Sequence, residues 1–151
     1  MAIGQTFGIA NAALSKDVKK GDRVALLAIK LTTCDEIIGY PLLMTIFSEK
    51  KAFIWELVLN PVITVGALVF ASADPSGCAV WLDGNETTLA VGGISLACGV
   101  GSNTQLTQVP IIDNIRRSCV MDDATKTIAV VVRPYDKTKM AAGLTWEEIH
   151  N

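Results

Sequence analysis

In Thr127-Ile128-Ala129-Val130-Val131-Val132, five of six residues are branched at Cβ. Side chains branched at Cβ are stiff and pack well on a pleated surface, so this run has the content of a buried strand. Asp122-Asp123 separates it from Ser118–Met121 upstream. Downstream, Asp136 is placed to cap a brief helix ending at Gly143. Thr145 and Glu148 have capping-box spacing, which predicts one terminal helical turn over Trp146–Asn151. Ala10–Leu14 is a further candidate for a short turn of helix.

Toward the N-terminus the same punctuation recurs at short intervals. Lys19-Lys20-Gly21-Asp22 precedes Arg23–Leu31, and Asp35-Glu36 precedes Ile37–Phe47. Ser48-Glu49-Lys50-Lys51 leads into Ala52–Leu59, and Asn60-Pro61 opens Val62–Ala71. Asp74-Pro75-Ser76-Gly77 has Pro and Gly where a type I turn prefers them. Asp83-Gly84, between Cys78–Leu82 and Thr87–Val91, supplies the positive φ angles of a tight hairpin. Gly92, Gly93, Gly99 and Gly101 lie among Ala, Val and Leu, where glycine marks a bulge or a close backbone approach. Eight or so short strands at even spacing predict an all-β chain, an antiparallel β-sandwich or barrel with one or two very short helices.

Length and composition set bounds on function. At 151 residues the chain suits one domain, 1–151, with an uncharged apolar segment at 1–15 as a candidate interface arm. It is 50% hydrophobic and 19% charged, with a net charge of −2, so no strong field draws nucleic acid or an anionic membrane to it. Leu57–Ala73 is the best candidate for a membrane span, but Asn60-Pro61 breaks it and its β-branched content fits two strands better. Cys34, Cys78, Cys98 and Cys119 have neither the density nor the pairing of a disulfide framework. They read as buried free thiols in a reducing, cytoplasmic compartment, where the glycosylation sequon Asn85-Glu86-Thr87 would stay unused.

Catalytic chemistry is sparse. His150 is the only histidine and sits next to the chain end, where fraying works against a catalytic base. That argues against Ser-His-Asp and Cys-His arrangements, and the cysteine spacing does not suit zinc. No residue is expected to be catalytic or to ligate a metal, and no cofactor is expected. Glu56, in Phe53-Ile54-Trp55-Glu56-Leu57, is expected to face water on the alternate pleat. The basic doublets Lys19-Lys20, Lys50-Lys51 and Arg116-Arg117 are the candidates for weak contact with nucleic acid or another anion.

Val65-Gly66-Ala67-Leu68-Val69-Phe70, then a turn and Ala79-Val80-Trp81-Leu82-Asp83, resembles the central signature of plant-virus cell-to-cell movement proteins. Val130-Val131-Val132 and Lys139-Met140-Ala141-Ala142-Gly143 resemble that family's closing strand and the Lys-Met-x-x-Gly beyond it. Gly84 stands after Asp83 where the family has a nearby Arg, and the chain has no basic tail. The resemblance, which extends to small viral coat proteins, implies a jelly-roll, non-enzymatic viral β-sandwich that assembles with copies of itself. The expected function is therefore a structural or assembly protein such as a coat, matrix or movement-like protein, with itself as partner. The alternatives are a β-barrel module for a small apolar ligand or a partner protein, and a small hydrolase or lyase using carboxylates alone.

Overall fold

The computed structural model describes residues 4–18, 21–31, 37–64, 71–72, 79–83, 88–111 and 126–150. Every regular element among them is a strand: β1 (Gly4–Val18), β2 (Val24–Leu31), β3 (Ile37–Ser48), β4 (Phe53–Leu59), β5 (Val62–Thr64), β6 (Ala71–Ser72), β7 (Ala79–Asp83), β8 (Leu89–Val91), β9 (Ile94–Gly101), β10 (Thr107–Pro110), β11 (Thr127–Pro134) and β12 (Thr138–His150).

The pairing is nested. β4 pairs with β9, β3 with β10, β2 with β11 and β1 with β12, all antiparallel. The front of the chain thus lies against the back in reverse order. Two further pairings, β12 with β3 and β11 with β4, roll that ribbon into two sheets. One has the order β1-β12-β3-β10; the other contains β2-β11-β4-β9, with β5–β8 added beyond β2. This is jelly-roll connectivity, with an extra ribbon inserted between β4 and β9.

The expected antiparallel sandwich forms, but the short helices do not. Asp136–Gly143 and Trp146–Asn151 fall largely within β12, and Ala10–Leu14 within β1. From Met140 to His150, β12 is paired with β3 on one flank and for most of that length with β1 on the other. A ladder on both sides outweighs a helix cap worth about 1 kcal/mol. The apolar N-terminal segment accordingly completes the domain's own sheet, from Gly4↔His150 to Val18↔Thr138. His150 ends β12, with Gly4 and Ile37 as its cross-strand partners.

Alternation along the strands fills the space between the sheets. Ile128, Val130 and Val132 of β11 and Phe53, Trp55 and Leu57 of β4 meet Met44 and Ile46 of β3 and Met140, Leu144 and Trp146 of β12. Two bulges add to this core. Val130 faces Leu27 while Val131 faces Ala25, which leaves Leu26 as the extra residue in β2. Leu26 and Leu27 are consequently both buried in one cluster, while Ala25 and Ala28 turn to the other face. In β9 the extra residue is Leu96, and both it and Ala97 pack on the core.

Gly99 and Gly101 lie directly opposite Trp55 and Phe53. A Cβ at Gly99 would come within 2.7 Å of the Trp55 ring, and one at Gly101 would collide with the Phe53 ring. Glycine in β9 therefore makes room for the largest side chains of β4, the close approach expected of this region.

The outer face of β2-β11-β4 is also covered. Val58↔Ser95, Leu59↔Ile94, Val62↔Val91, Ile63↔Ala90 and Thr64↔Leu89 keep one register, so β4–β5 and β8–β9 form a continuous antiparallel ribbon. The ribbon bends where Asn60, Gly92 and Gly93 all adopt positive φ, of 53°, 65° and 83°. The Asn60 side-chain carbonyl fixes the bend by accepting the Thr127 N–H at 2.7 Å, while the Asn60 backbone N–H donates to the Thr127 carbonyl at 2.8 Å. Beyond the bend, Ile63 and Ala90 pack on Ala25, Ala28, Ala129, Val131 and Val58. Alanine at these positions lets backbone approach backbone. Arg23 pins the crossing: its Nε donates to Glu56 Oε2 at 2.8 Å and its Nη1 to the Gly92 carbonyl at 2.9 Å. Glu56 is thus on the outer pleat as expected, but ion-paired and three-quarters covered.

β7 and β8, the strands on either side of the hairpin expected at Asp83-Gly84, do not pair with each other. β7 and β8 both run antiparallel to β2, from Leu31↔Ala79 to Leu27↔Asp83 and at Val24↔Leu89, so they share one direction. Gly84 itself lies outside the described residues. The antiparallel neighbours are instead β6 and β7, on either side of the Asp74-Pro75-Ser76-Gly77 stretch, which also lies outside them.

Replacing Gly101 by Ala should overpack the core against Phe53 and cost about 1–3 kcal/mol. Lys137→Ala, at an exposed turn residue, should change stability by about 0.5 kcal/mol or less. Urea unfolding of both variants checks this; equal losses would contradict the close approach.

Candidate functional site

Two surfaces carry the chemistry open to this fold. The first is a basic corner where the β3–β4 and β11–β12 turns meet. Each is a short crossing from one sheet to the other, β3 to β4 and β11 to β12, and polar side chains knit the two together. The Lys50 N–H donates to Thr138 Oγ1 at 3.0 Å, and the Glu49 N–H to the Lys139 carbonyl at 2.9 Å. The Ser48 hydroxyl donates to the Lys51 carbonyl at 2.6 Å and lies 3.2 Å from Thr138 Oγ1. Ser48 and Thr138 are buried, so these bonds satisfy groups that water cannot reach.

Above them, Glu49, Lys50, Lys137, Thr138 and Lys139 line an open concavity of about 190 Å³. Of the six expected anion contacts, Lys50 and Lys51 are exposed in this corner. Lys19, Lys20, Arg116 and Arg117 lie outside the described residues. Lys137 and Lys139 are the residues that sequence reasoning missed, because their stretch reads as a helix rather than a turn and strand. The corner is not strongly positive. Glu49 and Asp136 belong to the same two turns, and Asp17 is the cross-strand partner of Lys139.

A second depression, of about 180 Å³, is lined by Gly21, Ile54, Arg133, Pro134 and Tyr135. Each is smaller than the roughly 300–1,000 Å³ of a typical small-molecule pocket. The space between the sheets is occupied by core side chains. Glu148, read in sequence as a capping residue, is fully buried on β12, where the Trp146 indole N–H donates to its Oε1 at 3.1 Å. A carboxylate that no solvent reaches serves as a structural acceptor. Among the described residues no group of three or more His, Cys, Asp and Glu is placed to hold a metal. No helix among them is long and apolar enough to cross a membrane.

The second surface is a side wall built, among the described residues, on a stretch of chain without charge. Between Glu86 and Asp113 no residue carries one, and this stretch supplies β8, β9 and β10. β9 ends one sheet and β10 ends the other. Ile94, Val100 and Leu106, each 55–66% exposed, lie on β9 or on the turn after it, while the exposed Val62 and Val91 lie beyond the bend on β5 and β8, at the β2 end of the sheet. Cys98 is the free cysteine among the described residues, and it is exposed on β9 rather than buried. Cys34, Cys78 and Cys119 lie outside those residues.

No family model and no curated protein matches the chain. Among solved structures it is similar to an Acinetobacter baumannii phage AM24 tailspike protein, at 11% identity and a TM-score of 0.31. The match covers 97% of this chain and 26% of the tailspike, and a likeness this slight carries no argument.

Contact of the corner with a polyanion should be weak. Three lysines facing a single-stranded oligonucleotide give a log–log salt slope near −2, about −0.7 per phosphate contact. Fluorescence anisotropy at low salt should show binding that is lost by about 0.2 M salt and absent in a Lys50, Lys137, Lys139→Ser variant. Binding that persists in that variant would remove the corner from consideration.

Proposed function

We propose that this chain is a non-enzymatic structural subunit that assembles with copies of itself through apolar contacts. One observation carries the proposal: the uncharged stretch between Glu86 and Asp113 holds a terminal strand of each sheet and most of the large exposed apolar side chains. A soluble surface normally intersperses both signs of charge and protects its strand edges. A side that does neither is built to be covered.

A viral setting, as a coat, matrix or movement-like protein, rests on the sequence resemblance. Of the stretches that carry it, 79–83 form β7, 130–132 lie in β11 and 139–143 in β12, while 65–70 lie outside the described residues. Contact with nucleic acid is, in this reading, secondary and confined to the basic corner.

Size-exclusion chromatography with light scattering tests the proposal. A mass that is a multiple of 16.1 kDa is expected, and it should persist in 1 M salt, where screening reduces the Debye length to about 3 Å. A mass of one chain at high micromolar concentration would refute it.

A further inference from the structure

Resting on that reading, we infer that β9 is the assembly edge, and that it pairs antiparallel with β9 of a second copy across a two-fold axis. The choice of strand follows from how the other edges are protected. β10 is four residues long and ends in Pro110, which has no N–H to offer. The outer edge of β2 is taken by β7 and β8. β5 and β6, at the far side of the same sheet, are three and two residues long. β1 is long but carries Lys16 and Asp17. β9 has eight residues, Ile94-Ser95-Leu96-Ala97-Cys98-Gly99-Val100-Gly101, with neither charge nor proline. Among the described residues it pairs with β4 alone.

The choice of occupant follows from charge. In a two-fold antiparallel pair each residue meets a residue of the identical strand, so a charged strand risks setting like charges opposite each other. β9 has none to oppose. It also has no charge for a different partner to complement, so what it offers is backbone N–H and C=O groups and small or apolar side chains. A second β9 matches both. Ile94, Cys98 and Val100 are exposed on the strand that would meet its copy, and pairing there would continue the β2-β11-β4-β9 sheet from one subunit into the next.

Cys98→Lys and Val100→Lys each bring like charges together across the axis. Sedimentation velocity should show the dissociation constant rising about 100-fold or more, the scale of like charge at an interface. Tyr135→Lys, at an exposed turn remote from β9 in sequence, adds the same charge and should leave association unchanged. Independently of any variant, a short bismaleimide added to the wild-type protein should yield a peptide linked Cys98 to Cys98 between copies. If association survives both β9 variants, or Tyr135→Lys weakens it equally, or the assembled protein gives no such cross-link, the β9 edge is overturned while self-assembly stands. A wild-type protein that stays monomeric overturns self-assembly itself.

Discussion

The fold depends on nested antiparallel pairing. β4·β9, β3·β10, β2·β11 and β1·β12 each join a strand from the first part of the chain to its counterpart counted back from the end. Most contacts are therefore long-range, and loop closure costs entropy before burial repays it. The repayment comes at β11 and β12. Each is paired on both flanks, and between them they carry Ile128, Val130, Val132, Met140, Leu144 and Trp146 into one core. The remaining constraints serve that core: glycines in β9 admit the rings of β4, and bulges turn Leu26 and Leu96 inward.

The inserted ribbon then determines what the molecule presents outside. By bending at Asn60, Gly92 and Gly93 it crosses the back of one sheet, buries an alanine-rich face and covers the open edge of β2. Arg23 ties the bend to Glu56. This protects one side of the sandwich and leaves the other, with β9 and β10, uncovered among the described residues. The unprotected side is also the uncharged one. On the proposed reading, that coincidence is the link between the fold and self-assembly.

Much of the secondary structure was legible. Turn signals bracketed β2, β3, β4 and β11 closely, because each is a β-branched or apolar run between polar clusters. The misplaced hairpin has a definite cause. Asp83-Gly84 has the local chemistry of a tight turn, but the strands on either side of it both pair with β2, and local chemistry does not specify a partner. Thr145 and Glu148 misled in the same way: two flanking strands claim the backbone that a capping box would organise, and Glu148 instead accepts the Trp146 indole. Lys50 was visible as a doublet with Lys51, whereas Lys137 and Lys139 join it only through the meeting of two turns distant in sequence. The gap in charge between Glu86 and Asp113 stands in the sequence, but it acquires meaning only when β9 proves to be a terminal strand.

Residue-resolved amide hydrogen exchange across β9, followed as protein concentration is raised, tests most directly whether this edge is where copies meet. Amides of Ile94–Gly101 that do not face β4 should exchange fast in dilute protein and become protected as it associates, while those of β11 stay protected throughout. Association with no added protection anywhere in β9 would contradict the account.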